Sequence, residues 1–247
     1  MLRVSNIVAG VPDLKFAHPR LAAVYDTFDG DRGDLGAYEE IVAESGAGSV
    51  LDVGCGTGCL ALRLAAKGLR VTGVDPAEAS LQVAKGKPGG GTVEWRAEIP
   101  SGEVFDLAVM TGNVAQVFLG DDEWAAVLRD IHAVLRPGGW LVFETRRPEY
   151  RAWDEWAARS EPVVREVPGV GLVEQRFELT SVRLPLVSFR DTYTFADGEV
   201  LTSESTLRFR DRDELDAGVT AAGFRVVEVR QAPDRPARER VLLCEKP

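Results

Sequence analysis

Residues Val50-Leu51-Asp52-Val53-Gly54-Cys55-Gly56-Thr57-Gly58 join an apolar run to a turn with glycine at every second position, and then to a helical stretch. Such a turn strips side chains from the backbone where a ligand comes close, and it opens a helix whose first N–H groups point outward. The next apolar run, Leu69 to Val74, ends at Asp75. An acid in that place accepts hydrogen bonds from both hydroxyls of a ribose. A ligand containing a nucleoside is the first inference.

Around this turn the central half of the chain alternates apolar runs with helical stretches, the pattern of a parallel sheet covered on both faces. Strand one is expected over Val50 to Val53, a helix over Thr57 to Lys67, and strand two ending at Asp75-Pro76, where proline stops the ladder. A helix over Ala77 to Lys85 precedes strand three, Thr92 to Arg96, and strand four, Phe105 to Met110. Asp121-Asp122-Glu123 puts acids at the N-terminus of the next helix, which runs to Leu135. Pro137-Gly138-Gly139 then turns the chain into strand five, Trp140 to Glu144.

Beyond Arg147 the periodicity changes. Glu149 to Ser160 reads as a short helix with Trp153 and Trp156, and Val163 to Phe209 as three or four extended segments. Alternation through Val173, Gln175, Phe177 and Leu179, and through Phe189, Asp191, Tyr193 and Phe195, with a turn at Asp197-Gly198, predicts antiparallel hairpins. These form an insertion, a lid or an oligomer surface. Asp211 caps a helix that Gly223 stops, and Phe224 to Val229 and Arg240 to Cys244 supply the last strands.

Composition restricts the partners. A formal charge of −10 with no basic run beyond pairs such as Arg146-Arg147 argues against a nucleic-acid backbone. No run of about 18 uninterrupted apolar residues occurs, nor an apolar leader with a small-residue cleavage site, so a cytoplasmic protein without membrane contact is expected. The 3 cysteines and 2 histidines are too few, and Cys55 and Cys59 too embedded in the turn, to suggest a disulfide framework or a metal centre.

Taken together, Leu51-Asp52-Val53-Gly54-Cys55-Gly56-Thr57-Gly58, Val74-Asp75-Pro76, Phe105 to Met110 and Leu135-Arg136-Pro137-Gly138-Gly139 stand in the order and spacing of the class I S-adenosylmethionine-dependent methyltransferases, which this chain resembles from about Ser49 to Thr145. The resemblance implies a Rossmann-like α/β fold: a seven-stranded sheet whose last strand is antiparallel, with S-adenosylmethionine over the C-terminal edges of strands one, two and four. It divides the chain into a helical cap segment (1–46), the cofactor-binding core (47–148), a helix plus antiparallel β insertion (149–209) and the C-terminal part of the core sheet (210–247).

On that resemblance Gly54, Cys55, Gly56 and Gly58 pass beside the methionine part and ribose, Asp52 sits near the ammonium, and Asp75 with Pro76 holds the ribose diol. Many members place an aspartate after strand three to bind the adenine amine. Here Arg96 occupies that slot, leaving the Ala97 N–H and the Glu98 carboxylate as adenine contacts. Thr111 and Asn113 follow strand four, where cofactor and acceptor meet. The N-terminal segment folds over the cofactor in related small-molecule enzymes, which makes Tyr25, Arg32 or Tyr38 a ligand for the methionine carboxylate.

The implied reaction is in-line attack on the sulfonium methyl by a nitrogen, oxygen or carbon nucleophile of a small molecule. Positioning and water exclusion supply much of the rate, and a base is optional. His18 and Glu144 are the candidate bases. Arg146 and Arg147 are either a solvated rim or a grip on an acidic acceptor. The Asn/Asp-Pro-Pro-aromatic sequence of nucleic-acid amino-methyltransferases is absent after strand four, which favours a small-molecule acceptor. The alternatives are a catalytically silent S-adenosylmethionine-binding or scaffold protein and a nicotinamide dehydrogenase, whose fingerprint spaces its later glycines differently. The β insertion is also the expected surface of a homodimer.

Overall fold

The computed structural model describes residues 11–159 and 161–247. Three helices come first: α1 (Leu14–Ala17), α2 (Pro19–Asp29), with proline at its first position, and α3 (Leu35–Ser45), stopped by Gly46 at φ +66°. The core follows as β1 (Ser49–Val53), α4 (Cys59–Ala66), β2 (Arg70–Val74), α5 (Glu78–Gly86), β3 (Glu94–Arg96), β4 (Phe105–Met110), α6 (Asp121–Val134) and β5 (Leu135–Arg146). Then come α7 (Ala152–Ala157), the strands β6 (Val163–Val167), β7 (Gly171–Arg183), β8 (Leu186–Phe195) and β9 (Val200–Arg208), and finally α8 (Arg212–Ala221), β10 (Arg225–Gln231) and β11 (Glu239–Glu245).

The seven core strands lie in the order β10-β11-β5-β4-β1-β2-β3. β1 pairs in parallel with β2 and β4, while β11 runs antiparallel to both β5 and β10. Strand residues alternate between two apolar layers, as a sheet buried on both faces requires. Leu51, Val53, Ala108 and Phe143 pack under α6 and α8 with Trp124, Ile131 and Val219. Val50, Leu107, Val109 and Val142 pack under α3 and α4 with Tyr38, Ile41, Leu60 and Leu64. Because side chains alternate with period two, Asp52 and Glu144 fall on this second face, where both are buried.

The helix α8 begins as expected: Asp211 accepts the Glu214 N–H at 2.8 Å, and Glu214 returns by accepting the Asp211 N–H at 3.0 Å. Two expectations change. β5 begins at Leu135, because Pro137-Gly138-Gly139 is a bulge held inside the strand rather than a free turn: Gly138 donates to the Lys246 carbonyl at 2.7 Å and Lys246 donates to Gly139 at 2.8 Å. The helix expected from Glu149 is broken into a 3-10 turn, Pro148–Tyr150, and the short α7, because Arg151 sits at φ +56° between them.

β6 to β9 form a separate antiparallel sheet. Its inner face packs on α2, through Leu21 and Val24 against Val173, Tyr193 and Phe195, and on α7, through Trp153 against Val187 and Phe209. The sheet and α2 meet the loop after β4 and the end of β5 around one cavity. Among the described residues no helix is long and apolar enough to cross a membrane.

Candidate functional site

After β1 the chain turns at Gly54-Cys55-Gly56, where the Gly54 and Cys55 N–H groups both donate to the Val74 carbonyl, at 2.7 and 3.1 Å. The three glycines all hold positive φ: +73° at Gly54, +52° at Gly56 and +79° at Gly58. Their neighbourhoods differ. A Cβ at Gly54 would stand 2.5 Å from Val114 Cγ2, and one at Gly58 would stand 2.4 Å from the Trp95 ring, whereas nothing lies within 4 Å beside Gly56. Packing demands the first and third glycines, and Gly56 is the one that presents bare backbone to open space.

Asp75 closes one side of this turn. Its Oδ2 accepts the Gly56 N–H at 2.9 Å and its Oδ1 accepts the Ala77 N–H at 2.8 Å. Each oxygen keeps a second lone pair, so the carboxylate can still accept two hydroxyl donors. Burial raises its pKa above the ordinary value, against the pull of the two N–H donors.

Asp52 closes the other side. It is 2 % exposed, and its Oδ1 has no hydrogen-bond partner. Burial pushes its pKa up to about 7, opposed by Arg32 and reinforced by the charge of Asp75. A carboxyl that holds its proton in the fold and loses it in the unfolded chain contributes stability below about pH 4, and that stability is lost as pH rises toward 7. Asp52→Asn is therefore expected to flatten this loss and to raise the stability of the ligand-free protein at pH 8 by a few kcal/mol, on the order set by linkage. Melting temperatures of both proteins from pH 4 to pH 8 check it, and parallel curves would refute the assignment.

The helix α2 lies against the turn. Asp26 Oδ1 accepts the Thr57 hydroxyl at 2.5 Å, and Asp26 Oδ2 pairs at 2.5 Å with Lys87 Nζ, which also donates to the Thr57 carbonyl at 2.8 Å. Beyond α2 opens a cavity of about 410 Å³, bounded by α2, the loop after β4 and the inner face of the antiparallel sheet. Tyr25, Arg32, Asn113, Arg146, Phe177 and Tyr193 are among its lining residues. Val114, which touches Gly54, adjoins Asn113, so turn and cavity share one wall.

A buried polar network fixes that wall. Glu144 Oε1 accepts the Gly112 and Asn113 N–H groups, and its Oε2 accepts the Tyr38 hydroxyl. Asn113 sits at φ +63° and donates from Nδ2 to Glu239 Oε1 at 3.0 Å, where Arg235 also donates at 3.0 Å. The Asn113 carbonyl oxygen is left buried without a partner. Burial and the neighbouring Glu239 raise the pKa of Glu144.

The structure joins Gly54, Cys55, Gly56 and Asp75 at one turn, buries Asp52 in the strand that leads into it, and sets Tyr25 and Asn113 at the cavity. Thr111 is half-buried just before the network, and Ala97 and Glu98 are exposed after β3. Both candidate bases require correction. Glu144 is wholly buried with both oxygens engaged, so it clamps the loop rather than facing an acceptor. His18 opens α2 and does not line the cavity. Tyr38 is likewise buried, with its hydroxyl donated to Glu144.

Three contributors escape the sequence reading. Glu239 starts β11 directly opposite Arg146, and its alternation with Val241 and Leu243 is the signal that marks its face. Trp95 walls off Gly58 and Gly73. Arg210, 2 % exposed, donates to the Ala115, Phe118 and Gly120 carbonyls and ties the insertion's end to the loop after β4.

Residues 50–139 match the family described as methyltransferase domain. A ubiquinone biosynthesis O-methyltransferase of Bordetella bronchiseptica is 33% identical over 140 residues, which are 54% of this chain and 57% of that protein. The chain thus matches little more than half the length of this curated relative. Among solved structures, an S-adenosylmethionine-dependent methyltransferase from Clostridium acetobutylicum superposes with a TM-score of 0.73 at 16% identity, covering 92% of this chain and 97% of that one. The sugar N-methyltransferase KedS8 from Streptoalloteichus gives a TM-score of 0.71 at 22% identity, covering 100% and 98%. The architecture is that of the class I S-adenosylmethionine-dependent methyltransferases. Residues 50–139 thus match the methyltransferase domain in sequence, and the chain shares the fold of those enzymes.

Proposed function

We propose that the protein transfers a methyl group from S-adenosylmethionine to a nitrogen, oxygen or carbon nucleophile of a small molecule bound in the 410 Å³ cavity. The observation that carries this reading is the turn itself: open backbone at Gly56, tied to a ribose-competent carboxylate at Asp75, with a buried carboxyl at Asp52 whose Oδ1 has no partner. That donor set fits a ligand carrying a vicinal diol at one end and an ammonium at the other.

When bound, the cofactor supplies a methyl on a sulfonium, already activated for displacement. Asp75 would hold the diol, Asp52 would accept from the ammonium as a carboxylate with its proton released to solvent, and the turn at Gly56 would allow close approach. The Glu144 and Glu239 clamps keep Gly112 and Asn113 rigid where crevice meets cavity, so that the reacting atoms are held in line. The antiparallel sheet and α2 exclude water from above.

The relatives methylate different atoms by name, O in the Bordetella protein and N in KedS8, and the acceptor is therefore read from this chain's own cavity. Calorimetry with S-adenosylhomocysteine and with NAD is expected to show binding of the first alone. Transfer of labelled methyl from S-adenosylmethionine to a member of a small-molecule panel is expected to follow. Binding of NAD in place of S-adenosylhomocysteine would overturn the reading, and binding without transfer to any acceptor would favour a silent binding protein.

A further inference from the structure

The cavity lining carries five cationic side chains: Lys15, Arg32, Arg146, Arg159 and Arg235. Three of them already have carboxylates. Lys15 pairs with Asp191 at 3.5 Å, Arg32 forks onto Asp34 at 2.8 Å and reaches Asp29 at 3.3 Å, and Arg235 pairs with Asp234 at 2.8 Å and Glu239 at 3.0 Å. The other two are less fully met. Arg146 donates to the neutral amide oxygen of Gln116 at 2.9 Å and stands 3.7 Å from Glu239, whose Oε1 already serves Asn113 and Arg235. Arg159 has no carboxylate within salt-bridge distance among the described residues.

These two guanidinium groups share a wall. Arg146 lies 5.3 Å over the Trp156 ring and Arg159 lies 5.2 Å over the Phe177 ring, while Trp156 packs edge-on to Phe177 at 6.4 Å and Phe177 stacks on Phe189 at 5.2 Å. Contact with an aromatic face holds each guanidinium against the wall. In a protein of net charge −10, and in a cavity whose lining also holds Asp13, Asp29, Asp31, Asp34, Asp191 and Asp234, these are the two cationic side chains that acids do not fully match. Arg146 also adjoins the Asn113 loop through Glu239, which puts this wall within a small molecule's length of the crevice.

We propose that the acceptor is a small carboxylic acid whose carboxylate is gripped by Arg146, with Arg159 at the cavity mouth, against the Trp156–Phe177–Phe189 wall. This deepens the methyl-transfer reading and rests on it. Arg146 is then an acceptor-binding residue that orients the substrate through an end remote from the methylated atom. The cavity is of the size that holds one drug-sized or smaller molecule, and the flat aromatic wall suits an acid with an apolar body.

The test uses the full chain saturated with S-adenosylhomocysteine and a panel of amino acids and of amino- and hydroxybenzoic acids, each beside its primary carboxamide. At least one acid is expected to bind about tenfold or more tightly than its amide, the range of a charge-assisted fork against a neutral hydrogen bond. Arg146→Gln is expected to erase that preference and Arg146→Lys to restore part of it, both with S-adenosylhomocysteine affinity unchanged. Arg159→Gln, at an exposed position, is expected to weaken the preference even if the Arg146 variants fail to fold. Equal binding of acids and amides, a preference that survives Arg146→Gln, or no acid bound at all would overturn the proposal. Failure of the wild type to bind S-adenosylhomocysteine would instead overturn the methyl-transfer reading, and the acid-against-amide comparison without cofactor would still report on Arg146.

Discussion

Asp75→Asn is expected to weaken S-adenosylhomocysteine binding by about 100-fold or more. The carboxylate offers two free acceptor positions to a ribose diol, and hydrogen bonds to a charged group contribute about 1.5–3 kcal/mol each. Asparagine keeps one acceptor oxygen and points an NH₂ group at the second hydroxyl, or at the Gly56 or Ala77 N–H that the carboxylate now receives. Two effects add: lost ligand bonds, and a turn that loses its tether to the start of α5. They separate experimentally, because the tether acts on stability in the absence of ligand and the diol contacts act only on affinity. Calorimetric titration beside ligand-free melting curves measures both. An unchanged dissociation constant would remove Asp75 from the site.

How much of this was legible in the sequence depends on how local the cause is. β4 is read as Phe105 to Met110, the residues it occupies, because a short run that is apolar except for Asp106, set between polar loops, fits a strand of a covered sheet. The Asp211 cap and the Gly223 stop follow from the chemistry of two helix ends. The glycine turn and the acid after β2 are local too, and they gave the crevice. The bulge in β5 was not legible, since what holds Gly138 and Gly139 in the strand is Lys246, a residue more than a hundred positions away.

The same distance explains the misreading of Glu144. At the C-terminal end of a strand, next to two arginines, a carboxylate looks like a base facing a pocket. Its actual partners come from α3 and from the loop after β4, and the second acid of the network, Glu239, enters from the last strand. The alternation that buries Val142 buries Glu144 as well, so the face was readable while the partners were not. The acceptor cavity is the extreme case. Its lining is gathered from α1, α2, the β4 loop, β5, α7 and three insertion strands, and no single stretch of sequence carries its shape.

The three glycines of the turn are expected to separate into two kinds on substitution by alanine. Gly54→Ala and Gly58→Ala both force a Cβ into a space already filled, at 2.5 Å from Val114 Cγ2 and 2.4 Å from the Trp95 ring, and both hold positive φ. Overpacking costs about 1–3 kcal/mol and a left-handed non-glycine residue about 1–2 kcal/mol more. A loss of about 2–5 kcal/mol corresponds to roughly 5–20 °C of melting temperature in a domain of this size. Gly56→Ala pays only the backbone term, because no atom lies within 4 Å of its Cβ position. It is expected to melt within a few degrees of the wild type yet to bind S-adenosylhomocysteine at least tenfold more weakly, since the open space beside it is where the ligand would lie. Val114→Ala combined with Gly54→Ala removes both clashing methyl groups and should recover part of the stability, the signature of a shared contact. If Gly56→Ala binds the ligand as tightly as the wild type, the ligand does not pass this turn, and the crevice serves only to fold the chain.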